Sequence, residues 1–252
     1  MRRWSCPRTS AVNSIPQTIT GRAYTPGTLR VQHKRCGTRS ESMREYVAVL
    51  RSALSGNVEH SGTRYRVIWQ TAMPRLPEPP PLFIAGLSAK MLELAGEIAD
   101  GVILWLCVPA YVREVVMPAI VRGRAKAGKS LEGFEVVAAV PVAVTHNLEA
   151  ATALFKEELT RYMRLPFYRT MLATSGFGED LAAFDRDRGK YSSPSPAIPD
   201  RLAAALGGIG DVQVVREYVA AYRRAGVTLP AVRPIAFPDA PHYRSTLEAL
   251  AR

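Results

Sequence analysis

The feature that most constrains the fold of this chain is a regular alternation of short apolar runs with amphipathic helical segments. Four runs have the length and composition of strands buried on both faces: residues 82–85, 102–106, 134–144 and 229–235. Helical periodicity is clearest over residues 89–99, 111–127 and 212–225. The alternation predicts a parallel sheet with right-handed crossovers, either an open doubly wound sheet or a (β/α)8 barrel.

The number of strand–helix units favours an unusual form of the barrel. A full barrel needs eight units, and only four are clear in this sequence. We therefore expect an α/β fold of the (β/α)8 TIM-barrel type that is incomplete and lacks most of its N-terminal half.

Three further segments upstream of residue 82 have sequence patterns that predict local structure. Residues 43–54 place apolar side chains near helical spacing, and residues 58–68 alternate like a hairpin. Residues 73–81 contain five prolines, which predicts an extended connector.

Helix boundaries are marked in the second half of the chain. We expect Pro118 to divide residues 111–127 into two helical pieces, because proline lacks a backbone N–H. A long, mostly helical excursion is predicted over residues 148–206. The last of the three amphipathic helices has Asp211 placed to cap its start and Gly226 placed to end it.

Residues 1–42 do not share these patterns. They are rich in Arg, Ser, Thr, Pro and Gly, and they show neither strand nor helix periodicity. They contain no apolar core, so a secretory signal is not expected. We predict a leader that is disordered or is not the natural N-terminus, followed by the barrel domain over residues 43–252. A basic arm or an organelle transit peptide is the alternative.

Composition argues against several classes of protein. No apolar run approaches the roughly 18 residues of a membrane-spanning helix. Cys6, Cys36 and Cys107 form no CxxC pair and no Cys/His cluster, so we expect a cytoplasmic protein with no disulfide framework and no metal site. Of the net charge of +11, residues 1–42 carry +7, so the rest of the chain is only mildly basic. We therefore expect neither a nucleic-acid nor a membrane partner.

Residues 123–130 match the nucleotide-binding pattern GxxxxGK(S/T). That loop binds phosphate only between a strand and a following helix, whose N-terminal amides point at the anion. Here the match falls at the end of a predicted helix and before a strand. We interpret Arg124, Lys126 and Lys129 as last-turn cations that favour the helix dipole, and we reject a nucleotide site.

The turn that follows the first apolar run has the order that anion binding requires. A strand leads into Gly86, which lets the backbone approach a ligand closely, and Ser88 is placed to cap the next helix. The free amides of residues 87–90 would face an anion. In a barrel this turn lies at the C-terminal face, where active sites are built. An ordinary capped turn without a ligand is the alternative.

Four other residues each admit two interpretations. Trp105 ends the second strand at the same face, and it either walls a flat ring or fills the core. We expect Cys107 to be an apolar filler rather than a nucleophile, and His146 to be a solvent-exposed cap residue before Leu148 rather than a proton donor. Arg233 in the last strand needs an anionic partner, either a cofactor or substrate anion or a neighbouring carboxylate. No Ser-His-Asp order or carboxylate pair identifies a catalytic residue.

Several blocks together resemble the luciferase-like monooxygenase family, in its branch of coenzyme F420-dependent oxidoreductases. The matching blocks are residues 43–51, 84–104, 165–168 and 207–227, of which the second is the most specific. The resemblance implies a (β/α)8 barrel with an insertion before its last unit. It also implies a deazaflavin or flavin at the C-terminal face, which moves a hydride to or from an unknown small organic substrate.

The resemblance places the cofactor phosphate at Gly86, Leu87 and Ser88, and with their neighbours Ala85 and Trp105 they form the predicted cofactor site. Coenzyme F420 is the expected cofactor, and FMN is the alternative. The chain departs from family members that carry two glycines where Leu87 and Ser88 stand.

A larger departure lies upstream, where the family's first strands, which hold the cofactor ring, have no counterpart in residues 1–42. Four strands alone would expose hydrophobic edges, which favours a partner such as a second copy in a homodimer. Two function classes therefore stay open. The first is an F420- or FMN-dependent oxidoreductase or monooxygenase, and the second is an inactive barrel fragment that acts as an interaction module or arises from a misread frame.

Overall fold

The computed structural model describes residues 30–33, 38–56, 58–69, 78–235 and 241–251. They belong to two compact units that meet in the sequence between Leu82 and Phe83. The first unit consists of β1 (Arg30–His33), α1 (Arg39–Leu54), β2 (Val58–Ser61) and β3 (Tyr65–Trp69). Strand β3 pairs antiparallel with both β1 and β2, so the predicted hairpin is confirmed.

Helix α1 begins four residues before the predicted boundary at residue 43. The cause is a capping box: Thr38 Oγ1 accepts from the Glu41 N–H at 3.2 Å, and a Glu41 carboxylate oxygen accepts from the Thr38 N–H at 2.6 Å. Strand β1 and the first residues of α1 both fall within the predicted leader, residues 1–42. These two described parts of the leader therefore have regular secondary structure. The remaining leader residues, 1–29 and 34–37, lie outside the described residues, as does most of the predicted proline-rich connector.

The second unit contains the predicted strand–helix alternation. Its strands are β4 (Phe83–Ala85), β5 (Gly101–Trp105), β6 (Glu135–Val144), β7 (Gly208–Gly210) and β8 (Leu229–Pro234). Its α-helices are α2 (Ala89–Ile98), α3 (Pro109–Tyr111), α4 (Met117–Lys126), α5 (Leu148–Leu159), α6 (Pro166–Leu172), α7 (Gly178–Asp187), α8 (Asp200–Leu206), α9 (Val212–Ala225) and α10 (Pro241–Leu250). Single turns of 3-10 or π-helix lie at Val112–Val116, Tyr162–Arg164, Ala173–Phe177 and Ser195–Ala197. The predicted helical excursion is therefore confirmed as α5 to α8.

The five strands of the second unit form one parallel sheet around β6. Ala138 of β6 is in register with both Leu104 of β5 and Pro230 of β8. Val142, farther along β6, is in register with β7 and again with β8. Strand β8 therefore pairs with one edge of β6. Strands β5 and β7 both pair with the other edge, β5 near the start of β6 and β7 near its end. The sequence did not predict β7, because its Gly-Ile-Gly sequence has a single apolar side chain.

Helices α2 and α4 pack on each other through glycine. A Cβ atom at Gly123 would lie 1.9 Å from the Glu93 carbonyl oxygen, and one at Gly96 would lie 2.5 Å from a carbonyl oxygen of α4. Leu92 of α2 is completely buried, and Met91 is half-buried.

The helical run from Pro109 to Lys126 is divided just before Pro118, as predicted, into a π-helical turn and α4, although the two pieces follow each other without a break. A π-helical turn at Val112–Val116 precedes α4, and Pro118 lies in the first turn of α4, where a missing backbone N–H needs no partner. The GxxxxGK(S/T) match starts inside α4 and ends in the loop before β6. Lys126 forms an ion pair with Glu93 of α2 rather than facing a phosphate site. The predicted position of this match, at the end of a helix and before a strand, is confirmed.

We predict that Gly123→Ala destabilises the chain by about 1–3 kcal/mol, because the added methyl group would overlap the backbone of α2. Urea denaturation followed by far-UV circular dichroism measures the change. Gly189→Ala is the matched control, since its Cβ would meet no atom within 4 Å. Equal stability of the two variants would contradict the close helix packing.

Candidate functional site

The turn between β4 and α2 has the predicted anion-binding geometry. Ser88 caps α2: its Oγ accepts from the Met91 N–H at 3.4 Å, and its carbonyl oxygen accepts from the N–H groups of Met91 and Leu92. Within the described residues, the backbone N–H groups of residues 87–90 donate to no protein acceptor. The first turn of α2 contains no acidic residue. These amides can therefore donate to an anion at the helix start.

The conformation of this turn is fixed by a tyrosine from the next strand–helix unit. The Tyr111 hydroxyl, in α3, donates to the Leu87 carbonyl oxygen at 2.8 Å. Burial raises the pKa of Tyr111, with a smaller contribution from Cys107, so the hydroxyl stays a donor at neutral pH. A contact within the turn explains the glycine at position 86, because a Cβ there would lie 2.9 Å from the Met91 side chain.

The sheet register brings Trp105 to the same edge as the turn. Ala85, the last residue of β4, pairs with Ile103 of β5. Trp105 lies two residues farther along β5 and therefore on the same face of the sheet. The structure thus brings together all five predicted cofactor-site residues at the C-terminal ends of two adjacent strands: Ala85, Gly86, Leu87, Ser88 and Trp105.

Arg233 of β8 reaches across β6 to Trp105. Trp105 is in register with Ala139, and Ala139 with Ala231, two residues before Arg233. The two alanines leave room above the sheet, and the Arg233 guanidinium lies 5.0 Å from the centre of the Trp105 ring. A guanidinium nitrogen of Arg233 also donates to the Glu158 carboxylate of α5. Of the two partners proposed for Arg233, the neighbouring carboxylate is therefore confirmed.

Three aromatic residues of the helical excursion continue this cluster. The Tyr162 ring centre lies 6.0 Å from that of Trp105 and 5.0 Å from that of Tyr168, which also contacts Phe167. Burial raises the pKa of Tyr168 to about 12, with a smaller contribution from Tyr162. Its hydroxyl is therefore protonated at neutral pH and can act as a hydrogen-bond donor.

The backbone just after Trp105 is strained. Leu106 has a φ of 50°, a left-handed conformation that a non-glycine residue adopts at a cost in free energy. The next residue, Cys107, is 2% exposed, and burial raises the pKa of its thiol to about 12. The prediction that Cys107 is a filler rather than a nucleophile agrees with this environment, because the thiolate is the reactive form.

His146 is exposed, as predicted, but the residue that caps α5 is Asn147, so the predicted cap role of His146 is wrong. Among the described residues, no group of His, Cys, Asp and Glu side chains is arranged to hold a metal ion. No helix in the described part of the chain is both long and apolar enough to span a membrane.

Sequence reasoning missed the residues that complete the site: Tyr111, Glu158 and Tyr162. Each joins the site through a contact with a distant part of the chain. Only Phe167 and Tyr168 had a signal, as members of a block that resembles a known family.

The family whose sequence model matches the chain is described as luciferase-like monooxygenase, and the match covers residues 24–229. An uncharacterized protein of Mycobacterium bovis is 30% identical over 195 residues, which cover 71% of this chain and 57% of that protein. A putative coenzyme F420-dependent oxidoreductase of Mycobacterium tuberculosis is 30% identical over 166 residues, which cover 60% of this chain and 46% of that protein. The chain thus spans about half the length of the curated relatives it matches.

Two solved structures share the fold. The coenzyme F420-dependent tetrahydromethanopterin reductase from Methanopyrus kandleri superposes with a TM-score of 0.69 at 24% identity, covering 84% of this chain and 62% of that chain. An F420-dependent secondary alcohol dehydrogenase superposes with a TM-score of 0.61 at 16% identity, with the same coverage. At these identities the comparison shows the fold alone. It confirms the predicted incomplete α/β barrel, and the family match identifies that barrel as luciferase-like.

We predict that Tyr111→Phe loosens the candidate turn without unfolding the chain. Loss of the hydrogen bond to the Leu87 carbonyl should lower the unfolding free energy by about 1 kcal/mol. Amide hydrogen exchange should become faster at residues 87–90 than elsewhere in α2. Tyr191→Phe is the control, because Tyr191 is exposed. Unchanged exchange at the turn would show that Tyr111 does not hold it.

We also predict that Cys107 resists alkylation in the folded chain. In a Cys6→Ser, Cys36→Ser background, iodoacetamide at pH 8 should label Cys107 roughly a thousandfold more slowly than in urea, because the raised pKa removes the thiolate. Mass spectrometry of timed samples gives the two rates. Comparable rates would mean that the thiol is accessible and ionised.

Proposed function

The chain belongs to the luciferase-like monooxygenase family, and from that membership we propose that it is an oxidoreductase that uses coenzyme F420. The putative F420-dependent oxidoreductase among its relatives supports this choice. FMN is the alternative cofactor, because the wider family also includes monooxygenases. The chain spans about half the length of those relatives. That it carries out a complete oxidoreductase reaction is therefore part of the proposal.

The observation that carries the proposal is the set of unpaired backbone amides at the start of α2. The N–H groups of residues 87–90 have no protein acceptor in the described part of the chain, and Lys90 adds an exposed positive charge. A phosphate is the ligand that such a helix start binds best, since both the amides and the helix dipole favour an anion. Both F420 and FMN carry a phosphate, so the residues present fit either cofactor.

Trp105 would lie against the cofactor ring or the substrate at the same edge of the sheet. Arg233 already covers part of its ring, so the contact surface includes a guanidinium as well as an aromatic edge. Tyr168 adds a protonated hydroxyl to the aromatic cluster and can hold a proton there at neutral pH. When bound, the cofactor supplies the hydride-transfer chemistry. The protein supplies phosphate binding, orientation and exclusion of water.

We also propose a cytoplasmic location and a homodimer. A cytoplasmic location is supported by the free thiol of Cys107. A homodimer is supported by the sheet edges, because within the described residues β4 and β8 each pair with one strand. Size-exclusion chromatography with light scattering tests the second expectation.

We predict micromolar binding of F420 or FMN, measured by fluorescence titration, and a loss of about tenfold or more in the Ser88→Asp variant. Aspartate caps helices as well as serine does, so α2 should stay folded while the added negative charge repels the cofactor phosphate. The loss corresponds to at least about 1.4 kcal/mol of binding free energy.

Ser192→Asp is the matched control, because Ser192 is exposed in the loop before α8. It should bind the cofactor as the wild type does. If neither F420 nor FMN binds the wild-type chain, the oxidoreductase proposal fails for this chain. An inactive barrel fragment would then be the better interpretation.

A further inference from the structure

Two buried N–H donors at the candidate site lack partners. Within the described residues, Trp105 Nε1 and Arg233 Nε are inaccessible to solvent and donate to no acceptor. Leaving such a donor unpaired destabilises the folded state. The two donors belong to side chains in direct contact, since the Arg233 guanidinium lies over the Trp105 ring. A folded protein tolerates this local cost where a ligand supplies the missing acceptor.

The guanidinium of Arg233 is only partly used by its protein partner. Glu158 accepts from one terminal nitrogen of Arg233, whereas a carboxylate can engage two guanidinium N–H groups at once. The Arg233 side chain is 36% exposed and that of Glu158 is 23% exposed. The ion pair is therefore accessible from one side, where an incoming anion can compete with Glu158.

The charged and polar groups around the pair favour an anion. Glu158 is the acidic side chain in the cluster, and its charge is balanced by Arg233. Arg161 adds a second guanidinium, 4.6 Å from the centre of the Tyr162 ring that contacts Trp105. Tyr168 presents a protonated hydroxyl rather than a phenolate. The balance of fixed charge is positive, and the rings provide a flat apolar surface.

We propose that Arg233 and Trp105 bind a carboxylate of the substrate, so that the substrate is a small planar organic acid. The incoming carboxylate displaces Glu158 from Arg233. The guanidinium then moves and opens Arg233 Nε and Trp105 Nε1, which are closed to solvent while the ion pair is in place, so that both N–H groups donate to the carboxylate. The statement that the bound carboxylate belongs to a substrate rests on the proposed function. The binding itself can be tested without cofactor. The anion recognised here is distinct from the phosphate proposed for the β4–α2 turn.

The test is a calorimetric titration of the full chain with benzoate and, as its neutral analogue, with benzyl alcohol. Benzoate should bind about tenfold or more tightly than the alcohol. Arg233→Gln should weaken benzoate binding by about tenfold or more, and Trp105→Phe, which keeps a ring but removes the N–H, by about threefold or more. Arg224→Gln on α9, which removes an exposed arginine paired with Glu217, is the control and should have no effect.

The decisive variant is Glu158→Gln. If the substrate carboxylate competes with Glu158, removing that charge should tighten benzoate binding by about threefold or more. A purely structural ion pair predicts weaker binding or none, because its loss would disorder the site. This variant, together with Trp105→Phe, also carries the test if Arg233→Gln fails to fold.

Benzoate binding no tighter than that of benzyl alcohol, or unchanged in Arg233→Gln, would overturn the inference. Titration of the same samples with F420 and FMN separates it from the proposed function. Cofactor binding without benzoate binding would remove only the carboxylate site. Benzoate binding without either cofactor would leave the carboxylate site in place and remove the oxidoreductase proposal.

Discussion

The candidate site depends on the length and pairing of a single strand, β6. Its ten residues pair with β5 and β7 on one edge and with β8 on the other. Threonine hydroxyls accept from backbone N–H groups near both ends of β6, Thr228 at Val136 and Thr246 at Val144. Because β6 fixes the register of its neighbours, it also fixes the height of the Trp105 ring relative to Arg233. A shift of one residue in that register would turn one of these side chains to the opposite face.

The fold was predictable where it follows from local patterns and unpredictable where another element decides. Strand and helix periodicity predicted the alternation from residue 82, and Asp211 and Gly226 marked the ends of α9 correctly. Periodicity could not predict β7, which exists because β6 offers it a paired edge. It also could not predict the π-turn that makes Pro118 harmless. Each of these features depends on contacts that no local window of sequence contains.

The same division holds for the site. The β4–α2 turn was predictable because strand, glycine, capping serine and helix follow one another within a few residues. The residues that contact the turn and the Arg233–Trp105 pair are distant in sequence. Tyr111 is 24 residues from its partner Leu87, and Glu158 is 75 residues from its partner Arg233. An arginine in a buried-strand pattern predicts that a partner exists, but only the fold identifies it. Tertiary packing therefore identified Glu158 as the carboxylate neighbour of Arg233.

Unfavourable local features are concentrated at the C-terminal ends of β5 and β8. Leu106 adopts a left-handed conformation, and the neighbouring Trp105 and Arg233 each bury an unpaired N–H. The Arg233–Glu158 ion pair does not account for them, because a partly buried pair that satisfies only part of a guanidinium contributes little net stability. If this edge served stability alone, a glycine at position 106 and an apolar residue at position 233 would avoid the strain and the unpaired Arg233 donor at once. The arrangement is better explained by ligand binding, in which the ligand supplies the acceptors that the two buried donors lack.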